Sequence, residues 1–277
     1  MTGVRTLNSE EADNLSLEKL LTIKLPIPPL GTQKYIADLL SAYDDLIENN
    51  QNQIKLLEEA AMQLYKEWFV KLRFPGYEIT KIVDGNPDGW ISCKLQDVIE
   101  FNPVTKDKPK KSLPMAALNT NTMIVDESLI VETTSNSGSK FQNGDTLLAR
   151  ITPCLENGKT AFVDFLNPGE AAVGSTEFIV MRSKVLNPFM VYCLARDDNF
   201  RQLAINSMSG ADGRQRVKVE VLKNADFLLP PKQLIEYCYK HMEPLFNRIK
   251  KLNKQCHQLR QARDKLLPRL MSGEIEV

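Results

Sequence analysis

The sequence of 277 residues predicts an α+β fold, in which one mixed α/β globular domain lies between two long α-helices. Three observations support this prediction. Residues 28–74 carry apolar side chains at helical spacing, residues 230–277 repeat that pattern, and the segment between them alternates short β-type runs with turns. Each long helix then has an apolar stripe that needs a partner, so we expect the two helices to pair with each other.

The first long helix is predicted over residues 28–74. Pro28 and Pro29 end an extended run, and from Ile36 onward apolar positions follow each other in steps of four and three residues without a Pro or Gly. Pro75 and Gly76 then end the helix. The predicted core positions of this heptad pattern are Ile36, Leu40, Tyr43, Ile47, Asn50, Ile54, Leu57, Ala61, Leu64 and Trp68.

A second copy of the helix pattern begins at Pro230, 202 residues after Pro28. At this offset Ile47 aligns with Ile249 without a gap. A repeat of this length exceeds the periods of solenoid proteins, about 20–50 residues, and indicates duplication of a whole domain with its helix. The chain then holds one complete unit, with residues 1–27 as the remnant of a preceding domain and residues 230–277 as the second long helix.

The two helices carry opposite net charge. Residues 28–73 contain five basic and seven acidic residues, for a net charge of −2, whereas residues 230–271 contain ten basic and three acidic residues, for a net charge of +7. Opposite charge favours pairing of the two helices over self-association of either one. The alternative is that both helices expose their polar faces to water and never meet.

The globular domain is predicted over residues 75–229. Turn-forming residues separate short runs rich in β-branched and aromatic residues, and two helical patterns follow toward the end of the domain. The predicted strands are residues 90–95, 123–125, 129–132, 146–151, 160–165 and 177–182, and the predicted helices are residues 188–194 and 199–207.

Composition indicates a cytoplasmic protein without a membrane partner. Hydrophobic residues make up 43% and charged residues 25%, with 35 basic against 35 acidic residues, which argues against a generally basic nucleic-acid binder. No apolar run approaches the ~18 residues of a membrane span, and polar residues follow Met1 in place of a signal peptide. The five cysteines show no CxxC spacing, which favours a reducing compartment.

The residue patterns of catalysis are missing from the sequence. The only histidines, His241 and His257, lie near no acidic or cysteine cluster, so no metal site is predicted. Residues 158–160 imitate the end of a phosphate-binding loop, but Pro153 stands where the loop needs its first glycine. We therefore expect no catalytic residue and no cofactor in this chain, and an enzyme with a hidden active site is a weaker alternative.

Basic side chains in loops of the globular domain point to DNA binding. Loop Arg, Lys and Gln residues are the groups that contact phosphates and base edges. Gly210 and Gly213 lie beside the last of these residues and allow the backbone to approach a duplex closely. The alternative is that these loops are merely solvated. The predicted DNA-binding residues are Lys108, Lys110, Arg150, Lys159, Arg214, Gln215 and Arg216.

Four motifs make the chain resemble the specificity subunit of type I restriction-modification systems, and the resemblance covers almost the whole sequence. They are PDGW at residues 87–90 with KLQDV at 94–98, FQNGDTLLARI at 141–151 with NGK at 157–159, LPIPPLGTQ at 25–33, and LLPRLMSGE at 266–274. In the third motif, Gly31 and Thr32 replace the usual acidic residues.

The resemblance implies a non-catalytic subunit whose target recognition domain, residues 75–229, reads half of a bipartite DNA target through the major groove. It also implies that the two helices form an antiparallel coiled coil that sets the spacing between the halves. Methyltransferase subunits and restriction/translocase subunits would dock on this chain, and S-adenosylmethionine, ATP and Mg²⁺ would belong to those partners. Trp68 and Phe69, aromatic residues near a helix end, are the candidate docking residues.

The chain departs from the family in size. A typical subunit carries two recognition domains, and this chain carries one plus the remnant at its start. Either the chain is a fragment, or two copies associate as a homodimer that reads a palindromic split site. The functional alternative from another class is a standalone coiled-coil scaffold, whose central domain binds protein without sequence-specific DNA binding.

Overall fold

The computed structural model of the protein describes residues 27–105, 107–211 and 213–275. Apart from Ile27, the predicted remnant at residues 1–27 lies outside the described residues. The described chain is a mixed α/β protein that divides into two compact units. The smaller unit comprises the residues up to Ile47 together with those from Gln258 onward, and the larger unit comprises Glu48–His257.

The first long helix, α1 (Leu30–Tyr65), follows Pro28 and Pro29. The backbone N–H of Gln33 donates to the Pro29 carbonyl at 3.0 Å, and the Gln33 side chain donates to the Pro28 carbonyl at 2.7 Å, so both carbonyl groups at the helix start are satisfied. The helix then continues as a π-helical turn, Lys66–Val70. Such a turn accommodates an extra residue compared with an α-helical turn.

The chain next forms a short hairpin of β1 (Ile82–Val83) and β2 (Asn86–Pro87), in whose turn Gly85 has a φ of +83°. The following elements are, in chain order, β3 (Ile91–Lys94), α2 (Leu95–Val98), β4 (Ile99–Phe101), β5 (Lys111–Leu113), β6 (Val131–Glu132), β7 (Ser139–Gln142), β8 (Thr146–Ala149), β9 (Thr160–Phe162), β10 (Ala171–Gly174), β11 (Phe178–Ser183), α3 (Pro188–Arg196), α4 (Asp198–Asn206), α5 (Val219–Lys223), β12 (Asp226–Leu229) and the second long helix, α6 (Lys232–Met271).

The strands of the described residues form two four-stranded sheets and two strand pairs. The first four-stranded sheet has the order β4-β11-β8-β9 with antiparallel pairs throughout, and Ala149 on β8 lies opposite Phe178 on β11. The second has the order β6-β5-β10-β7 and contains one parallel pair, β5 with β10. β12 pairs with β3, which places the residues leading into α6 beside the start of the globular domain.

The main core joins the globular domain to both long helices within the larger unit. α1 contributes Ile54, Ala61 and Tyr65, α6 contributes Met242 and Ile249, and none of these side chains is more than 4% exposed. They belong to one apolar cluster with residues of α3 and β11. Parts of the apolar stripes that the heptad pattern predicts are therefore buried, against the globular domain as well as between helices.

Side-chain contacts between α1 and α6 occur in both units. In the larger unit, Arg248 donates to the side-chain oxygen of Gln53 at 3.4 Å. In the smaller unit, Arg263 donates to the carboxylate of Asp44. The contact at Arg263 lies nearer the C-terminus of α6 than the contact at Arg248, whereas its partner on α1, Asp44, lies nearer the N-terminus than Gln53.

The observed strands differ from the predicted strands in several places. β5, β7 and β10 are missing from the prediction, because their residues do not alternate between apolar and polar types; β10, for example, is wholly buried and reads Ala-Ala-Val-Gly. Residues 123–125 are predicted as a strand but form only an isolated bridge between Leu118 and Val125. Met123 is nevertheless 1% exposed, so its apolar character reflects core packing outside a sheet.

Candidate nucleic-acid interface

Three segments of the globular domain meet at the end of β8 and the start of β11. The N–H of Arg150 donates to the carbonyl of Glu177 at 2.9 Å. The N–H of Val217 donates to the carbonyl of Arg150 at 2.9 Å, and the N–H of Thr152 donates to that of Gln215 at 3.1 Å. Backbone hydrogen bonds thus fix segments that are far apart in sequence.

The loop that leads from α4 to α5 is closed by two backbone hydrogen bonds between Ser209 and Arg216, of 3.1 and 2.9 Å. Gly210 has a φ of +130°, and a Cβ there would lie 3.1 Å from the carbonyl oxygen of Arg214, so this turn requires glycine. Arg214 and Arg216 are exposed, and Gln215 is half-buried. The loop therefore presents long polar side chains from a backbone that is held at both ends.

Arg216 and Glu177 form a bidentate ion pair in this site. The Nε atom of Arg216 lies 3.0 Å from each carboxylate oxygen of Glu177, and its Nη2 atom lies 2.7 Å from Oε1. The hydrogen bonds from Arg216 hold the pKa of the Glu177 carboxyl below its usual value, so the group stays ionised. Glu177 is not among the site residues predicted from the sequence. A single acidic residue before a strand does not indicate an ion pair with a distant arginine until the register of β8 against β11 is known.

Arg150 lies beside the same carboxylate. Its Nε atom is 4.0 Å from Oε2 of Glu177 and is buried without a hydrogen-bond partner among the described residues. Buried donors without an acceptor are rare in folded proteins, so this one calls for a specific reason. We call Arg150, Glu177, Arg214, Gln215 and Arg216 the arginine cluster.

The other three predicted DNA-binding residues have separate surroundings. The Nζ atom of Lys159 donates to the Met115 carbonyl at 3.0 Å in a partly buried position. Lys108 and Lys110 are exposed in the loop before β5. Within the described residues, no hydrogen bond or ion pair connects these lysines to the arginine cluster, and their role in DNA binding stays a prediction.

The Gly-Asp pair of the 141–151 motif has a structural role. Gly144 has a φ of +88°, which favours glycine. Asp145 accepts two hydrogen bonds of 2.7 Å from Arg182 on β11 and one of 2.8 Å from the N–H of Gln142. Burial raises the pKa of Asp145 despite these bonds. The ion pair ties the start of β8 to β11, the same two strands whose other ends carry the arginine cluster.

A second buried carboxyl group, that of Glu58, lies on α1. The Thr122 hydroxyl donates to one of its oxygens at 2.8 Å, and the Tyr192 hydroxyl donates to the other. Burial raises the pKa of Glu58, and the two hydroxyl groups and Arg196 oppose that rise. This carboxyl group connects α1 to the globular domain, so we interpret it as structural.

The predicted docking residues, Trp68 and Phe69, are both half-buried in the π-helical turn. The Trp68 ring stacks on the Tyr237 ring of α6, with centroids 5.6 Å apart and 4° between the planes. The Phe69 ring contacts Tyr65 at 5.6 Å and Trp90 at 6.2 Å. Both rings thus pack against the chain itself and keep only part of their surface for a partner.

Within the described ranges, no group of three or more His, Cys, Asp or Glu side chains is arranged to hold a metal ion. The same residues include no helix with the length and apolar character that a membrane crossing requires.

Comparison with known proteins identifies relatives of one kind. The profile of the family described as the type I restriction modification DNA specificity domain matches residues 5–59. The type I restriction enzyme MjaIX specificity subunit of Methanocaldococcus jannaschii is 27% identical over an alignment that covers 93% of this chain and 62% of that protein. The EcoAI specificity subunit of Escherichia coli is 31% identical over 63% of this chain and 30% of that protein.

A solved structure supports the same relationship at the level of the fold. The type I restriction-modification system S subunit from M. genitalium superposes with a TM-score of 0.52 and 12% identity, over 87% of this chain and 61% of that one. The chain therefore spans less than two thirds of the length of each of these relatives.

Proposed function

We propose that this relative of type I restriction-modification specificity subunits is a non-catalytic subunit that recognises DNA sequence, its globular domain reading one half of a bipartite target. The arginine cluster is the observation that carries the proposal. An arginine fork matches the O6 and N7 atoms of guanine, and a Gln side chain matches adenine, so Arg214, Gln215 and Arg216 suit base reading. Because backbone hydrogen bonds between Ser209 and Arg216 close the loop, its backbone would lose less conformational entropy on binding DNA than an open loop would.

We further propose that α1 and α6 pair as an antiparallel coiled coil that acts as a spacer. The contacts Gln53–Arg248 and Asp44–Arg263 support this, since they follow opposite directions along the two helices. The net charges of −2 over residues 28–73 and +7 over residues 230–271 support it as well.

Methyltransferase subunits and restriction/translocase subunits are the proposed protein partners, with part of the Trp68 and Phe69 surface as the docking candidate. S-adenosylmethionine, ATP and Mg²⁺ would act in those partners. The association of two copies of this chain also stays a prediction, which sedimentation velocity with and without duplex DNA tests.

The test of DNA recognition is selection from a pool of duplexes with a randomised central segment. The full chain is mixed with the pool, bound duplexes are retained and sequenced, and affinity for a random duplex is measured over a salt series. We expect enrichment of a defined base pattern and a steep loss of affinity as salt rises from about 50 to 200 mM. Equal retention of all sequences, or no retention, would contradict the proposal and favour a protein-binding scaffold.

A matched pair of variants locates the contact. Arg214→Gln is expected to weaken binding of the selected duplex by ~10-fold, because one side chain that reads or positions the duplex is lost. Lys232→Gln, which removes an 88%-exposed lysine at the start of α6, is the control and should leave binding unchanged. Equal effects of the two changes would show that the loop has no special role.

A further inference from the structure

The Glu177 carboxylate occupies the hydrogen-bonding fork of Arg216, which is the group best suited to read a base edge. We propose that Glu177 is a specificity-determining residue, which withholds Arg216 from DNA phosphates and releases it to the neutral edge of a base. This inference rests on the proposed function of DNA recognition and names the residue that makes the recognition selective.

The geometry places the acid behind the arginine. The Glu177 side chain is 22% exposed and the Arg216 side chain is 47% exposed, so the guanidinium lies on the solvent side of the pair. The backbone of Arg216 is fixed by its two hydrogen bonds to Ser209. Arg216 can therefore exchange partners by rotation of its side chain alone, without movement of the loop.

Arg150 makes that exchange feasible. When Arg216 turns away, the Glu177 carboxylate would lose its main partner, and an unpaired charge at a partly buried position is costly. Arg150 is already 4.0 Å from the carboxylate, and its buried Nε has no other acceptor among the described residues. A small shift of Arg150 gives Nε an acceptor and keeps the carboxylate paired.

The carboxylate distinguishes the two kinds of DNA acceptor by charge. A phosphate and the O6–N7 edge of guanine both accept two hydrogen bonds from an arginine fork. A phosphate beside Glu177 brings two negative charges together, which is unfavourable at short range, whereas the base edge carries no net charge. Glu177 therefore disfavours contact of Arg216 with the DNA phosphates at any sequence, and it does not disfavour contact of Arg216 with the edge of the correct base.

The experiment compares the wild-type chain with Glu177→Gln, Glu177→Asp and the control Glu170→Gln. Glu170 also forms an ion pair in the globular domain, with Lys111 at 3.2 Å, and its side chain is 9% exposed. Each protein is used for selection from the randomised duplex pool, for salt-dependent binding to one random duplex, and for thermal unfolding.

We expect Glu177→Gln to bind the random duplex ~3- to 10-fold more tightly, with a salt slope steeper by about one phosphate contact, because Arg216 becomes available to the backbone. The ratio of selected to random affinity should fall by a similar factor. Glu177→Asp should keep most of the wild-type ratio, since it retains the charge, and Glu170→Gln should leave the ratio unchanged.

An unchanged ratio in Glu177→Gln, or the same effect from Glu170→Gln, overturns the inference while the proposed function stands. A wild-type chain that enriches no base pattern overturns both. If Glu177→Gln unfolds, Arg216→Lys provides the second measurement, since it keeps the charge but removes the fork. We expect this variant to bind the random duplex as the wild type does and to lose base preference at one position, and retention of the full pattern would refute the inference.

Discussion

At the scale of single residues, the structure assigns different tasks to acidic groups that the sequence does not distinguish. Glu58 lies in a heptad region next to Glu59, yet Glu58 is 6% exposed and Glu59 faces solvent. Its burial depends on two hydroxyl donors, Thr122 and Tyr192, that come from the globular domain. Helical periodicity could not predict this, because the partners are more than sixty residues away in sequence.

The first prediction concerns this buried carboxyl group. Glu58→Ala should lower the free energy of unfolding by about 2–4 kcal/mol, because it leaves buried hydroxyl groups without an acceptor and opens a cavity. Denaturant unfolding measures the loss. Glu58→Gln keeps an acceptor and should cost less, and Glu59→Ala should change stability by under about 0.5 kcal/mol. Equal losses at positions 58 and 59 would contradict the assignment.

The second prediction concerns Asp164, which follows β9. Burial raises the pKa of its carboxyl from 3.8 to about 6, although Lys250 opposes the rise. The folded state therefore binds the proton more tightly than the unfolded state, and the resulting stabilisation is complete below pH 3.8 and lost as pH rises to about 6. Asp164→Asn should remove this dependence, so the variant gains stability relative to wild type as pH increases from 4 to 6. Parallel pH profiles of unfolding for the two proteins would contradict it.

At the scale of elements, the long helices could be predicted from the sequence, whereas several strands could not. Both helices carry apolar residues in steps of four and three over many turns, a signal that local sequence alone supplies. β10 has no polar residue to mark a face, and β7 carries a single aromatic residue, Phe141, so their pairing depends on neighbours from elsewhere in the chain. A short strand whose position depends on pairing with distant strands shows little strand pattern in its own residues.

The third prediction separates apolar packing from charge in the helix pair. Ile249→Ala should lower the free energy of unfolding by about 2–5 kcal/mol, because Ile249 is 1% exposed in the core shared with the globular domain. Arg263→Ala should cost less than about 1 kcal/mol, because the ion pair with Asp44 is open to solvent and screened. Both losses are read from denaturant unfolding, and a larger loss at Arg263 would mean that charge dominates the pairing.

At the scale of the whole molecule, zero net charge conceals a local concentration of basic groups. The sequence predicts Arg150, Gln215 and Arg216 as DNA-binding residues by residue type and loop position. In the structure, backbone hydrogen bonds of Arg150 with Val217 and of Gln215 with Thr152 bring their segments together. The sequence alone could not predict the role of Glu177, because its carboxylate becomes a partner of Arg216 only after β8 and β11 have paired. Residue type indicates which groups a side chain could bind, whereas the fold determines which other residue of the chain already binds that side chain.

The fourth prediction tests how the exposed lysines act. We expect each of these lysines to contribute a phosphate contact without reading a base. Replacing Lys108 and Lys110 together by Gln should therefore lower affinity for all duplexes alike and reduce the salt slope by up to about two. The base pattern from the randomised pool should not change. A changed pattern would instead place these lysines at base edges.

The π-helical turn has a mechanical consequence for the molecule. Trp68 rests on Tyr237 of α6, while its neighbour Phe69 rests on Trp90 at the entrance of the globular domain. Two consecutive aromatic residues at the end of the first long helix therefore contact two different parts of the chain, α6 and the globular domain. Because Trp68 and Phe69 are adjacent in the same turn, a rotation of that turn would displace its contact with α6 and its contact with the globular domain together.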